Sequence, residues 1–138
     1  MRKLGYRGHE IVFRDEAPIA RKRVDTFLTK EPDTVEWLGT LGGDDVLWDI
    51  GANIGIYALP AATICREVWA FEPHPANYHE LWHNCRANPS LRVRPVHMAL
   101  ASTVELATLR IPDASPGAAM TSISAVGYRG RSADVDGV

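Results

Sequence analysis

Cysteine, long apolar runs and an excess of either charge are scarce in this sequence, and each shortage removes a class of protein. Two cysteines, Cys65 and Cys85, cannot build a disulfide framework. The early cations Arg2, Lys3 and Arg7 lead into no apolar region of the kind a secretion signal carries. Reduced thiols and a cytoplasmic location are therefore expected. The longest apolar stretch, residues 54–65, is interrupted by Pro60, whereas a bilayer span needs roughly 20 residues. A net charge of -2 offers no basic footprint, so the expected partners include neither nucleic acid nor a membrane surface. There is no internal repeat and no low-complexity tract. What remains is a globular mix, 46% hydrophobic and 23% charged over 138 residues, enough for one core.

Within that mix, short apolar runs alternate with helical spacing. Residues 9–14 read as a strand. Asp33, with Glu36 three places on, has the pattern of a capping box, predicting a helix that ends at Gly42-Gly43. Residues 46–50 form an apolar run suited to a strand buried on both faces. Ile54, Tyr57, Ala58, Ala61 and Cys65 then recur at helical spacing, with Pro60 as a strain inside that helix. Residues 67–72 read as a second strand, and Pro75 opens a helix that presents Tyr78, Leu81, Trp82 and Cys85 on one stripe and ends at Asn88-Pro89. Residues 91–100 predict a third strand and 105–111 a fourth; from Pro112 onward the composition is that of loop. Trp48 and Trp69 are expected in the core and Trp37 as the anchor of the first helix. The alternation predicts an α/β protein with a parallel sheet and crossover helices.

Two features at the carboxyl ends of the first two strands carry chemistry. The turn Gly51-Ala52-Asn53-Ile54-Gly55 lets backbone approach a ligand closely, and Glu72, 21 positions after Gly51, is placed to accept from both hydroxyls of a ribose. Asp49 adds a carboxylate suited to a cationic group. The same two glycines equally permit tight strand-to-helix packing. Asn53 stands where a dinucleotide fingerprint needs its second glycine, which weighs against a nicotinamide-dependent oxidoreductase without removing it as an alternative.

Three runs in order, Phe27-Leu28-Thr29-Lys30-Glu31-Pro32, Val46 through Tyr57, and Ala70-Phe71-Glu72-Pro73, resemble the FkbM family of S-adenosylmethionine-dependent methyltransferases. The similarity continues through Asn84, Asn88 and Ala99-Leu100. It implies a Rossmann-like class I methyltransferase fold, S-adenosyl-L-methionine as cofactor, and O-methylation of a small-molecule or glycan hydroxyl. Carried over residue by residue, Asp49, Gly51, Ala52, Asn53 and Gly55 are expected to line the methionine end of the cofactor, Glu72 to hold the ribose, and Met98, Ala99 and Leu100 to border the adenine. Pro60 and Ser102 depart from the family pattern. The family's later Lys-x-Asp-x-Glu-Gly-like segment does not occur before Val138. The expectation is an N-terminal extension over 1–43, a cofactor-binding βαβαβ core over 44–112, and a loop-like tail over 113–138 in a domain truncated at its C-terminus. The first core strand would then keep an open apolar edge.

No catalytic base is legible. His74 is the one candidate near the cofactor, against the simpler reading of a solvent-facing loop histidine. A different class of function is suggested by His79-Glu80-Leu81-Trp82-His83, which matches the H-E-x-x-H pattern of zinc hydrolases. Arg86 and Pro89 stand where the extended pattern needs glycine and histidine, and Glu105 is the other possible third ligand. The apolar stripe predicts that His79, Glu80 and His83 face water, so no metal site is expected. The acceptor and the oligomeric state are not legible.

Overall fold

The computed structural model describes residues 1–104, 107–119 and 122–125. It opens with a hairpin of which the sequence predicts only the second half. β1 (Arg2–Tyr6) pairs antiparallel with β2 (His9–Phe13). Arg7 and Gly8 join them at φ 48° and 82°, the left-handed pair that matches the twist of a two-residue hairpin. Strand alternation sends Leu4, Tyr6, Ile11 and Phe13 into the core.

Three short helices follow, α1 (Pro18–Asp25), α2 (Phe27–Lys30) and α3 (Pro32–Leu38). The expected cap at Asp33 is corrected: Glu31 occupies the cap position and Asp33 lies in the first turn. Pro32 takes the first helical position because its missing N–H is no loss there. The helix stops at Gly39, earlier than Gly42-Gly43. Trp37 is exposed instead of anchoring the helix.

β3 (Val46–Ile50), α4 (Ala58–Ala61), β4 (Glu67–Phe71), α5 (Pro75–Ala87) and β5 (Val93–Val96) then alternate as predicted. The strands form a parallel sheet in the order β3-β4-β5, with Trp48 opposite Trp69 and Phe71 opposite Val96. α4 is far shorter than the periodicity suggests. Residues 51–57 are mostly turn, and Pro60 falls in the first turn of α4, where backbone N–H groups have few intrahelical partners. The strain expected from Pro60 is thereby reduced. The fourth strand does not join this sheet. β6 (Ala107–Arg110) pairs antiparallel with β7 (Ser122–Ala125) in a separate two-stranded sheet. β7 also interrupts the expected loop-like tail, and Glu105 lies outside the described residues. Among the described residues no helix is long and apolar enough to cross a membrane.

The sheet has two unlike faces. Val68 and Ala70 are buried in the core with Ile54, Leu59 and Leu81. On the other face β3 exposes Val46, Trp48 and Ile50 at 40%, 60% and 65%. Trp48 touches Phe71 there (centroids 5.4 Å apart), and the Arg94 guanidinium lies 5.2 Å from the centre of the Trp69 ring. The strand expected to be buried on both faces is thus covered on one only, and Trp48 is not a core residue. Among the described residues no strand pairs with the outer edge of β3.

The burial pattern of α5 also differs from its apolar stripe. Asn77, Glu80, Leu81 and Asn84 are buried, and Trp82 is exposed. The buried amides tie the helix to the hairpin. Asn88 Oδ1 accepts from the Val12 N–H at 2.9 Å while its Nδ2 donates to the Val12 carbonyl at 2.7 Å. Asn84 accepts from the Arg14 N–H and donates to the Ile54 carbonyl. These side chains satisfy backbone groups that would otherwise be buried unpaired.

Leu81→Ala, at a fully buried position, should cost about 2–5 kcal/mol in chemical denaturation. Trp48→Lys, on the uncovered face, should leave stability within about 0.5 kcal/mol and lower self-association in sedimentation velocity. A Trp48 variant as destabilised as Leu81→Ala would show that this face is packed.

Candidate functional site

The carboxyl ends of β3 and β4 meet at a turn held by the sheet itself. The N–H groups of Gly51 and Ala52 both donate to the Phe71 carbonyl, at 2.8 and 3.0 Å. Gly51 has φ 82° and Asn53 φ 53°, left-handed values that glycine and asparagine adopt most readily. This geometry turns the Asn53 N–H onto Glu72 Oε2 at 2.7 Å, while the His74 N–H reaches Oε1 at 2.8 Å. Glu72 is 4% exposed. Each of its oxygens has one backbone donor and retains a further lone pair, so the carboxylate is positioned as a two-point acceptor.

A cavity of about 350 Å³ opens beside it, walled by Gly51, Ala52, Asn53, Tyr57 and Glu72 together with Arg23 and Glu31 from the N-terminal helices and Ala118 from the β6–β7 connection. A larger hollow of about 550 Å³ lies by Arg66, Glu67 and Arg94 at the opposite, amino end of the strands. Ligands of parallel α/β sheets bind at the carboxyl end, so the smaller cavity is the candidate site.

The two glycines divide the two readings given to them. A Cβ at Gly51 would meet nothing within 4 Å, so this residue leaves open space at the cavity wall. A Cβ at Gly55, which has φ 87°, would lie 2.8 Å from Leu81 Cδ1. Gly55 is absent from the cavity wall and serves the approach of the turn to α5. Asp49 is likewise not on the wall. Burial raises its carboxyl to about 6 against the opposing pull of the Ala58 N–H, and the charge of Glu72 adds to the rise. Its Oδ2 has no hydrogen-bond partner among the described residues. Met98, Ala99 and Leu100 are also off the wall.

The connection between β6 and β7 is the part of the site that the sequence reading missed. Asn53 Nδ2 and Asn77 Nδ2 both donate to the Ala118 carbonyl, at 2.7 and 3.0 Å, and the Gly117 N–H donates to Asn77 Oδ1. Gly117 sits so close to α1 that a Cβ would come within 2.8 Å of the Ala20 nitrogen. A composition of Gly, Ser, Ala and Pro announces a loop, and Gly117 in Ser-Pro-Gly was the only local sign of a close approach.

His74 is not a solvent-facing loop residue: it is 2% exposed and caps α5. Its Nδ1 accepts from the N–H groups of Ala76 and Asn77, and Nε2 faces the Asp113 carbonyl at 3.1 Å. That pattern assigns the proton to Nε2 and occupies both nitrogens, leaving no atom to act as a base. Burial and the adjacent Glu31 push the Tyr57 phenol up to about 12, which keeps it protonated. Burial also pushes Cys85 up to about 12 and raises Cys65, as expected for thiols that are not nucleophiles.

The H-E-x-x-H residues do not assemble as the pattern requires. His79 and His83 are neighbours, with ring centroids 4.5 Å apart, but Glu80 is buried, with a carboxylate oxygen 3.6 Å from Arg14 Nε. The expectation that Glu80 faces water is corrected, because the hairpin brings Arg14 over it. Among the described residues no group of three His, Cys, Asp or Glu could hold a metal.

No family model matches the chain. It is 42% identical over 60 residues to the hexuronic acid methyltransferase AglP of Haloferax volcanii, covering 44% of this chain and 24% of that protein. It is 41% identical over 51 residues to a tRNA (guanine(37)-N(1))-methyltransferase of Xenopus tropicalis, covering 37% of this chain and 10% of that protein. The crystal structure of the M. jannaschii tRNA m1G37 methyltransferase matches with a TM-score of 0.51 at 13% identity, over 75% of this chain and 31% of that one. The matched relatives are methyltransferases, and the fold is the Rossmann-like α/β fold of class I methyltransferases. The chain spans a small part of the length of these relatives. The expectation that excluded nucleic acid is corrected by the tRNA methyltransferase match. Net charge averages over a chain and does not report which surface meets an acceptor.

Asp49 makes the stability pH-dependent. Its folded value of about 6 lies above the ordinary 3.8, so the folded state holds the proton more tightly. Stability from this group is full below about pH 4, declines towards pH 6 and is flat above. Asp49→Asn should therefore raise the melting temperature at pH 7.5, by the equivalent of up to roughly 3 kcal/mol, and leave it nearly unchanged at pH 4. A variant that melts lower at pH 7.5 would mean that the carboxylate is partnered when ionised.

Proposed function

We propose that this chain is the cofactor-binding part of an S-adenosylmethionine-dependent methyltransferase of the FkbM type, with Gly51, Ala52, Asn53 and Glu72 as its contacts to the cofactor. The observation that carries this reading is Glu72, locked as a two-point acceptor beside an open glycine turn at the carboxyl end of the sheet. Such a carboxylate suits the vicinal hydroxyls of a ribose. Gly51 leaves room for a ligand against the backbone. Asp49, desolvated and with an unpaired oxygen, supplies negative potential near the cavity, which favours a cationic cofactor over a pyrophosphate. Asn53 fills the position where a dinucleotide loop needs glycine. Gly55 and Asp49 act off the cavity wall, Gly55 through the close packing of the turn on Leu81 and Asp49 through its charge.

S-adenosylmethionine supplies a methyl group on a sulfonium, transferred by in-line displacement, so the protein mainly positions two reactants. Glu72 orients the nucleoside, and Asn53 couples Glu72 to the Ala118 carbonyl. The match to a hexuronic acid methyltransferase favours a uronic sugar as acceptor. A second reading, methylation of an RNA base, is favoured by the match to a tRNA methyltransferase.

Calorimetric titration with S-adenosylhomocysteine should give saturable binding. Glu72→Ala should weaken it at least tenfold, the scale of losing hydrogen bonds to a charged acceptor, about 1.5–3 kcal/mol. A folded chain that does not bind would sink the cofactor assignment. Incubation with methyl-labelled S-adenosylmethionine should label a uronic-acid oligosaccharide; label in tRNA instead would establish the second reading.

A further inference from the structure

Two charged residues of the cavity wall belong to neither the glycine turn nor the strand ends. Arg23 comes from α1, and Glu31 from the junction of α2 and α3. We infer that Arg23 and Glu31 take the amino-acid end of the cofactor, Arg23 pairing with its α-carboxylate and Glu31 accepting from its α-ammonium. This rests on the cofactor reading above and adds two residues from outside the strand-turn-helix unit.

Three observations support it. First, the Arg23 side chain is held in place, because its Nε donates to the Gly117 carbonyl. Among the described residues Arg23 forms no ion pair, which leaves its two terminal nitrogens without a carboxylate there. A half-buried guanidinium that pairs with no carboxylate among the described residues suits a planar anion, which it can bind through two parallel hydrogen bonds. Second, Glu31 and Arg23 act on the same group: both fields are felt at the Tyr57 phenol, Glu31 raising and Arg23 lowering its proton affinity. Opposite charges are thus brought to one part of the wall, as a zwitterionic ligand requires. Third, the charge of Glu31 is not neutralised: it accepts from the neutral Tyr57 phenol, and its ion pair to the exposed Lys30 beside it in sequence is long, at 3.7 Å. The wall therefore offers two functions, with Glu72 and Asn53 suited to a ribose and Arg23, Glu31 and Tyr57 suited to an α-amino acid.

The test compares two ligands that share the nucleoside and the thioether. S-adenosylhomocysteine carries the amino acid; 5′-methylthioadenosine does not. Calorimetry on the full chain should show tighter binding of the first. Arg23→Gln should lower affinity for S-adenosylhomocysteine about tenfold or more, while leaving 5′-methylthioadenosine within about twofold. Glu31→Gln should act on the same ligand alone, and Arg23→Lys should recover part of the loss. Glu72→Ala should weaken both ligands, and retained 5′-methylthioadenosine binding certifies that the Arg23 variant is folded. Equal loss of both ligands in Arg23→Gln would reduce Arg23 to a brace for Gly117 and overturn the inference. So would equal affinity of the unsubstituted chain for the two ligands. Failure of the unsubstituted chain to bind either ligand would remove the cofactor reading itself and the inference with it.

Discussion

The Glu72 carboxylate is the point at which the rest of the site is joined. It stands at the end of β4, is nearly inaccessible, and accepts one backbone N–H from the glycine turn and one from the start of α5. A buried carboxylate is costly unless hydrogen-bonded, so the turn and the helix start are held where they can donate. Asn53 must adopt a left-handed conformation to aim its N–H, and its own side chain then reaches the Ala118 carbonyl. One acceptor thus ties together β4, the turn after β3, the start of α5 and the β6–β7 connection.

Asparagine does the corresponding work along α5. Asn77 and Asn84 lie on α5 and Asn88 caps its end, and all three are buried. An amide carries a donor and an acceptor in one plane, so it can pair with a backbone edge much as a strand does. Asn88 treats Val12 in this way, and Asn77 treats Gly117 and Ala118 so. The helix face is polar because it binds backbone, and this is why the inward stripe differs from the one that counting apolar residues suggests. Glu80 is buried with a side-chain partner instead, Arg14 Nε lying 3.6 Å from its carboxylate.

The sheet positions its chemistry at one end and leaves one face open. Trp48, Ile50 and Val46 line that face, while the outer edge of β3 has unpaired backbone groups among the described residues. An exposed, apolar edge strand favours association with other strands. The Arg94 guanidinium over Trp69 and the ion pair of Arg94 with Glu67 give partial cover at one side of this face.

The α/β class, the parallel order of three strands, the turn at Gly51 and the acid at Glu72 were legible in the sequence by itself. Those features depend on local patterns, namely apolar runs, proline and glycine punctuation, and the fixed separation between a turn and the next strand end. Tertiary structure alone decided the rest. Gly51 and Gly55 look alike in sequence, but only the position of Leu81 makes one a packing residue and leaves the other facing open space. His74 reads as a loop histidine until α5 and the Asp113 carbonyl occupy both its nitrogens. Arg23 and Ala118 lie 28 positions before and 67 after Gly51, and Gly117 beside Ala118 is the one local sign of either. They reach the cavity because buried backbone groups must find partners, and those partners are contributed by residues far apart along the chain.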